Sequence, residues 1–184
     1  MAKVLFHQDD ILWGFVDLDG ELLFRFEAFF VGDYGEFDLA PINVENDFGF
    51  IDRSGRFQIQ PSFLYAGIFS EGLAPIQKPY DWTQVKIAQK VNLIPKGAKF
   101  TFIDRDANPV FEEEWDYANG FSEGLASVHR GRKWGYIDLK GHTAVPFEFD
   151  TACDFDGGLA FCQKGNIWGY IDRVGNWVRA VERS

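Results

Sequence analysis

Cysteine, histidine and basic charge are all scarce in this chain, and each scarcity removes a class of function. Only two cysteines occur among 184 residues, Cys153 and Cys162, nine positions apart. That spacing fits neither a disulfide framework nor a thiolate metal site, so both read as small buried hydrophobes. His7, His129 and His142 are scattered without metal-ligand spacing and read as structural. Lysine and arginine total 18 against 28 acidic residues, a formal net charge of −10. A field of that sign repels phosphate backbones, which disfavours nucleic acid, and it attracts a basic protein. No apolar run approaches the roughly 18 residues of a membrane span. The opening MAKVLFHQDDILWGF sets acids where the apolar region of a signal peptide would continue. A cytoplasmic protein off the membrane is the expectation. Neither a Gly-rich phosphate loop nor a nucleophile elbow is found, so no enzyme, metal or cofactor is expected.

Aromatic residues and glycine, by contrast, are plentiful: aromatics make up 17%, with 20 Phe, and there are 19 Gly. This composition suits many short strands joined by turns. One short motif then recurs five times. It reads WGFVDLDG from Trp13, FGFIDRSG from Phe48, FTFIDRDA from Phe100, WGYIDLKG from Trp134 and WGYIDRVG from Trp168. The aspartates, Asp17, Asp52, Asp104, Asp138 and Asp172, step by 35, 52, 34 and 34 residues. A second motif keeps the period: FSEGLAPI from Phe69, FSEGLASV from Phe121 and FDGGLAFC from Phe155, with GEFDLAPI as a degenerate copy. Phe29, Phe63, Trp115 and Phe149 correspond as well.

A fixed period across the chain means repeated supersecondary units. LASV and WGYID alternate large and small residues as half-buried strands do, and the turns between them read as hairpins. In Asp-x-x-Gly the aspartate bonds ahead to the backbone and the glycine tolerates positive φ. The glycine after Trp is expected to let an aromatic ring from a neighbouring strand lie against the backbone.

The combination F-S-E-G-L-A, then K-W-G-Y-I-D-x-x-G, resembles the bacterial WG-repeat proteins over nearly the entire chain. The match is strong in the two C-terminal copies and weaker at Phe48 and at Phe100–Thr101, where Trp or Gly is replaced. The resemblance implies a β-rich repeat scaffold used as an interaction module, with no catalytic residues. The expected fold is all-β: one domain over residues 1–184, built of five hairpin units of about 34 residues in an open twisted array. A small closed propeller is the alternative. Trp13, Phe48, Phe100, Trp134 and Trp168 are read as stacked core residues.

Departures from the repeat are candidate contact sites, because insertions land on loops. The long step holds an insertion at about 77–96, QKPYDWTQVKIAQKVNLIPK. Its alternation favours an extended hairpin over a helix. Lys78, Lys86, Lys90 and Lys96 against Asp81 leave it at +3. Tyr80 and Trp82 would anchor a partner there, or the lysines simply guard an edge strand. The opposite sign gathers at Glu112, Glu113, Glu114 and Asp116 around Trp115. This stretch reads either as a patch for a cationic partner or as a solvated loop. The functional expectation is a protein-binding module, in its specific form an immunity or inhibitor protein against a basic partner such as a toxin. A glycan-binding module using Trp82 or Trp115 is the alternative, and an enzyme the remote one.

Overall fold

Five aspartates build five copies of one turn. Each of Asp17, Asp52, Asp104, Asp138 and Asp172 accepts, through Oδ1, the amides two and four residues ahead at 2.8–3.1 Å. The expected Asp-x-x-Gly turn is therefore present throughout. Gly20, Gly55, Gly141 and Gly175 supply its positive φ, and in the third copy Ala107 is held at φ +65°.

The computed structural model describes residues 2–6, 12–17, 19–78, 81–87 and 90–182, with side chains described over 12–17, 19–78 and 97–182. Its strands are antiparallel and fall into small sheets. The first contains β1 (Ala2–Phe6), β2 (Leu12–Val16) and β3 (Leu22–Glu27). The second contains β4 (Phe30–Val31), β5 (Ala40–Val44), β6 (Asp47–Ile51) and β7 (Phe57–Phe63). The third joins β8 (Tyr65–Ala66) and β9 (Ala74–Lys78) to a later strand across the insertion. In that insertion β10 (Asp81–Ile87) and β11 (Lys90–Lys96) pair as a hairpin, and β12 (Lys99–Ile103) returns to β9. The fourth sheet holds β13 (Tyr117–Ser122), β14 (Leu125–Arg130), β15 (Lys133–Asp138) and β16 (Thr143–Phe149). The fifth holds β17 (Thr151–Ala152), β18 (Ala160–Lys164), β19 (Ile167–Ile171) and β20 (Trp177–Glu182). Among the described residues there is no α-helix, and so none long and apolar enough to cross a membrane.

The repeats stand in an open array. Four buried apolar clusters follow one another along the chain, each built from neighbouring repeats. The phenylalanine of each F-x-x-G-L-A motif seals the join: Phe69 meets Phe50 at 4.8 Å between centroids, Phe121 meets Phe102 at 4.9 Å and Phe155 meets Tyr136 at 4.9 Å. One hairpin cannot bury its apolar face alone, so each repeat depends on its neighbour.

Two details differ from expectation. The glycine of the WG pair faces backbone, not an aromatic ring. A Cβ on Gly49, Gly135 or Gly169 would lie 2.6, 2.7 or 2.0 Å from the carbonyl oxygen of Ile59, Val145 or Arg179 on the next strand. Phe29 is also not the counterpart of Phe63, Trp115 and Phe149. Its amide bonds Asn43 O, just as Leu64, Asp116 and Asp150 bond Gln77 O, His129 O and Gln163 O. Ala28, buried at 3%, therefore fills the aromatic position, while Phe29 is 62% exposed. The first aspartate step of 35 residues, one longer than the standard 34, accounts for the slip.

Candidate functional site

Strands β4, β8, β13 and β17 come first in chain order in their sheets, and hydrogen bonds fix how their residues correspond. Gly32 donates to Pro41 O, Gly67 to Pro75 O and Cys153 to Phe161 O. In β13 the register shifts between Ala118 and Phe121, and Asn119, next after Ala118, takes the corresponding place. Three columns follow: Phe30, Tyr65, Tyr117 and Thr151; then Gly32, Gly67, Asn119 and Cys153; then Asp33, Ile68, Gly120 and Asp154.

Members of these columns from four successive repeats converge on one cleft of about 570 Å³. That volume is typical of small-ligand sites. Phe30, Phe48 and Tyr65 form an aromatic wall, and Pro41, Gly67 and Pro75 form the floor beside it. Asn119, Gly120, Phe121 and Asp154 close the other side. Close approach explains the floor: a Cβ on Gly32 or Gly67 would meet the Pro41 or Pro75 ring at 2.5 or 2.7 Å.

A thread of hydrogen bonds fixes the carboxylate of Asp154 in the wall. Asn119 Nδ2 donates to Ser127 Oγ at 2.8 Å, and that buried hydroxyl donates to Asp154 Oδ1 at 3.2 Å. Asp154 Oδ2 takes no hydrogen bond among the described residues. Asp154 is an exposed residue, and nearby protein nudges its carboxyl above the ordinary range against the opposing bond from Ser127. No cationic side chain lines the cleft among the described residues.

The aromatic wall continues as a row. Phe30, Phe48, Tyr65, Phe100, Tyr117 and Trp134 follow one another with centroids 4.7–5.9 Å apart. First-strand rings thus alternate with rings from the WG position, and the row stops where Thr151 carries none. Trp13, Phe48, Trp134 and Trp168 are half-buried and Phe100 is 4% exposed, so these residues pack while most keep an edge in solvent. Trp13 also donates from Nε1 to Ala28 O at 3.0 Å.

The sequence candidates lie elsewhere. Lys78 is exposed and rests over the Phe63 ring, 5.6 Å from its centroid. Tyr80 lies outside the described residues, as do the side chains of Trp82, Lys86 and Lys90. Glu112, Glu113 and Glu114 are exposed, and Glu113 pairs with Arg130 at 2.8 Å. Trp115 does not fit the contact role considered for it: it is fully buried against Phe102 and Phe111, out of reach of a partner or a sugar. Asp116 binds Lys99 and accepts the Gly131 amide at 2.6 Å, and these two bonds hold its carboxyl below the usual range. Asp150 repeats the arrangement with Lys133 and Gly165. It closes the next hairpin as Asp116 closes its own.

Sequence reasoning passed over the cleft and also a latch. Glu36 accepts the Gly72 amide at 2.7 Å, Glu71 accepts Gly124 at 2.8 Å and Glu123 accepts Gly158 at 2.9 Å, each time in the following repeat. The signal was the glutamate of F-S-E-G. It sits at positive φ in a two-residue turn, φ +54° at both Glu71 and Glu123, where glycine or asparagine would be expected on local grounds.

The comparisons bear on the scaffold. A family model described as "WG containing repeat" matches residues 48–78, 100–134 and 134–166, together just over half of the chain. No curated protein matches. Among solved structures, KlHsv2 with its loop 6CD replaced by a Gly-Ser linker is 8% identical, with a TM-score of 0.51 over 95% of this chain and 60% of that one. At that identity the likeness concerns fold alone. A protein of unknown function from Bacteroides caccae is 12% identical, with a TM-score of 0.46 over 98% of this chain and 72% of that one. BamB from Moraxella catarrhalis is 9% identical, with a TM-score of 0.37 over 100% and 90%.

Proposed function

Because this chain belongs to the family of proteins built from WG-containing repeats, we propose that it is a non-catalytic protein-binding module that receives its partner at the cleft shared by four repeats. The observation that carries this reading is convergence: columns equivalent in sequence meet at one apolar hollow with a single fixed carboxylate. The formal charge of −10 favours a basic partner, whose approach it would speed. In its finer form the protein is a cytoplasmic inhibitor or immunity protein that occupies such a partner. A glycan site is less well supported, since a sugar needs many hydrogen-bonding groups and most of this wall is ring, proline and glycine.

Affinity capture from the host lysate tests the reading. The intact chain is compared with one whose residues 77–96 are replaced by a short Gly-Ser turn, with both checked by thermal melts. A basic protein held by both chains, and released as salt rises, is the expected result. A partner lost with the hairpin would move the site to the insertion. No protein retained by either chain would sink the proposal.

A further inference from the structure

Resting on that reading, we infer that the cleft takes a cationic side chain, arginine or lysine, presented on a short segment of the partner polypeptide. The stem lies along Phe30, Phe48 and Tyr65 and the charged head meets Asp154.

Three observations lead there. Among the described residues the wall's one formal charge is negative, and the carboxylate bearing it is aimed by Ser127, which leaves Oδ2 open. Asp154 is exposed at the rim of this apolar wall, so its charge is open to an arriving cation, which it attracts without being displaced from Ser127. The neighbouring wall is aromatic: Phe30 is 47% exposed and its ring lies 5.9 Å from that of Phe48, which lies 5.7 Å from Tyr65. Ring faces attract cations and cover the methylene stems of Lys and Arg. Burial pushes the Tyr65 phenol above its ordinary range, so this ring enters as a neutral surface rather than a competing charge. Size sets the length of the occupant. About 570 Å³ exceeds a lone Lys or Arg side chain and accommodates the tip of a loop with its flanking apolar residues.

The test uses the full chain and three capped tripeptides, N-acetyl-Leu-X-Leu amide with X as arginine, citrulline or glutamate. Citrulline keeps the shape of arginine without its charge. Binding is followed by amide NMR shifts at Gly67, Asn119 and Gly120. The arginine peptide is expected to shift these amides and to bind at least tenfold tighter than the citrulline peptide. Asp154→Asn is expected to erase that preference while leaving the melt in place. Ser127→Ala, which frees the carboxylate without removing it, should weaken the preference only partly. Equal binding of arginine and citrulline peptides at the cleft would overturn the cation while leaving the cleft as a peptide site. Shifts confined to the surface around Glu112–Glu114 would overturn the cleft itself. Arginine amide alone binding as tightly as the tripeptide would overturn the polypeptide occupant in favour of a small organic cation.

Discussion

At the scale of single residues the fold is set by carboxylates that capture amides. Amides of the turn, or side chains beside it, hold Asp52, Asp104 and Asp172 below the usual carboxyl range. At Asp138 burial opposes the shift and the amides of His142 and Lys140 prevail. A carboxyl with a lowered native pKa binds fewer protons folded than unfolded, so its contribution is fully present above the unfolded value near about 4. That contribution is lost as pH falls through the native values. Urea melts at pH 6, 4 and 3 are therefore expected to lose stability mainly below about pH 4. Constant midpoints would refute the role given to these turns. Ala107 is the one Asp-x-x-Gly position where a side chain endures positive φ, at +65°. Ala107→Gly should raise stability by about 0.5–1 kcal/mol, read as a higher urea midpoint.

Within an element, the WG strand is defined by how closely the next strand crosses it. Gly135 leaves no space for a methyl beside Val145 O, so Gly135→Ala is expected to cost about 2–3 kcal/mol in chemical denaturation. The third repeat shows the converse. Thr101 stands in place of that glycine, and no regular strand follows on that side: only isolated bridges, Phe100 to Trp115 and Ile103 to Pro109, tie the returning chain. Its hydroxyl is buried without a partner among the described residues, and Thr101→Val should leave stability unchanged or raise it by about 1 kcal/mol in the same assay. Much of this was legible from the chain. The aspartate turns, the hairpins and the need for a bare glycine follow from residue type and spacing. Spacing did not tell which atoms press on the glycine, nor that the first step of 35 shifts Phe29 out of its column. The cleft was hidden for a different reason. Much of its lining comes from the first strand of each sheet and the residues just after it, where the repeats spell differently, as Phe-Val-Gly, Tyr-Ala-Gly, Tyr-Ala-Asn and Thr-Ala-Cys, so identity of letters gave no warning.

Across the whole molecule, stability and binding both arise between repeats. The glutamate latches tie successive units, so Glu71→Ala should lower stability by about 1 kcal/mol, or roughly 2–4 °C in Tm. Glu71→Gly should cost less, because the same change relieves positive φ; an equal cost for both would mean the latch dominates and the strain is negligible. In the last repeat Gly157 occupies the latch position, and Tyr170 is 45% exposed where its counterparts Phe50, Phe102 and Tyr136 are fully buried. The described array thus runs from repeat to repeat and leaves the cleft as the place where several meet. Gly120 offers the most direct test of that cleft as the binding site. It lines the wall, its φ lies outside the left-handed region and a Cβ there meets nothing within 4 Å, so a large side chain can enter without straining the scaffold. Isothermal titration of the captured partner against the wild-type chain and Gly120→Trp is the measurement to make. An affinity at least tenfold weaker with an unchanged melt is expected, whereas full affinity with the cleft plugged would contradict the account.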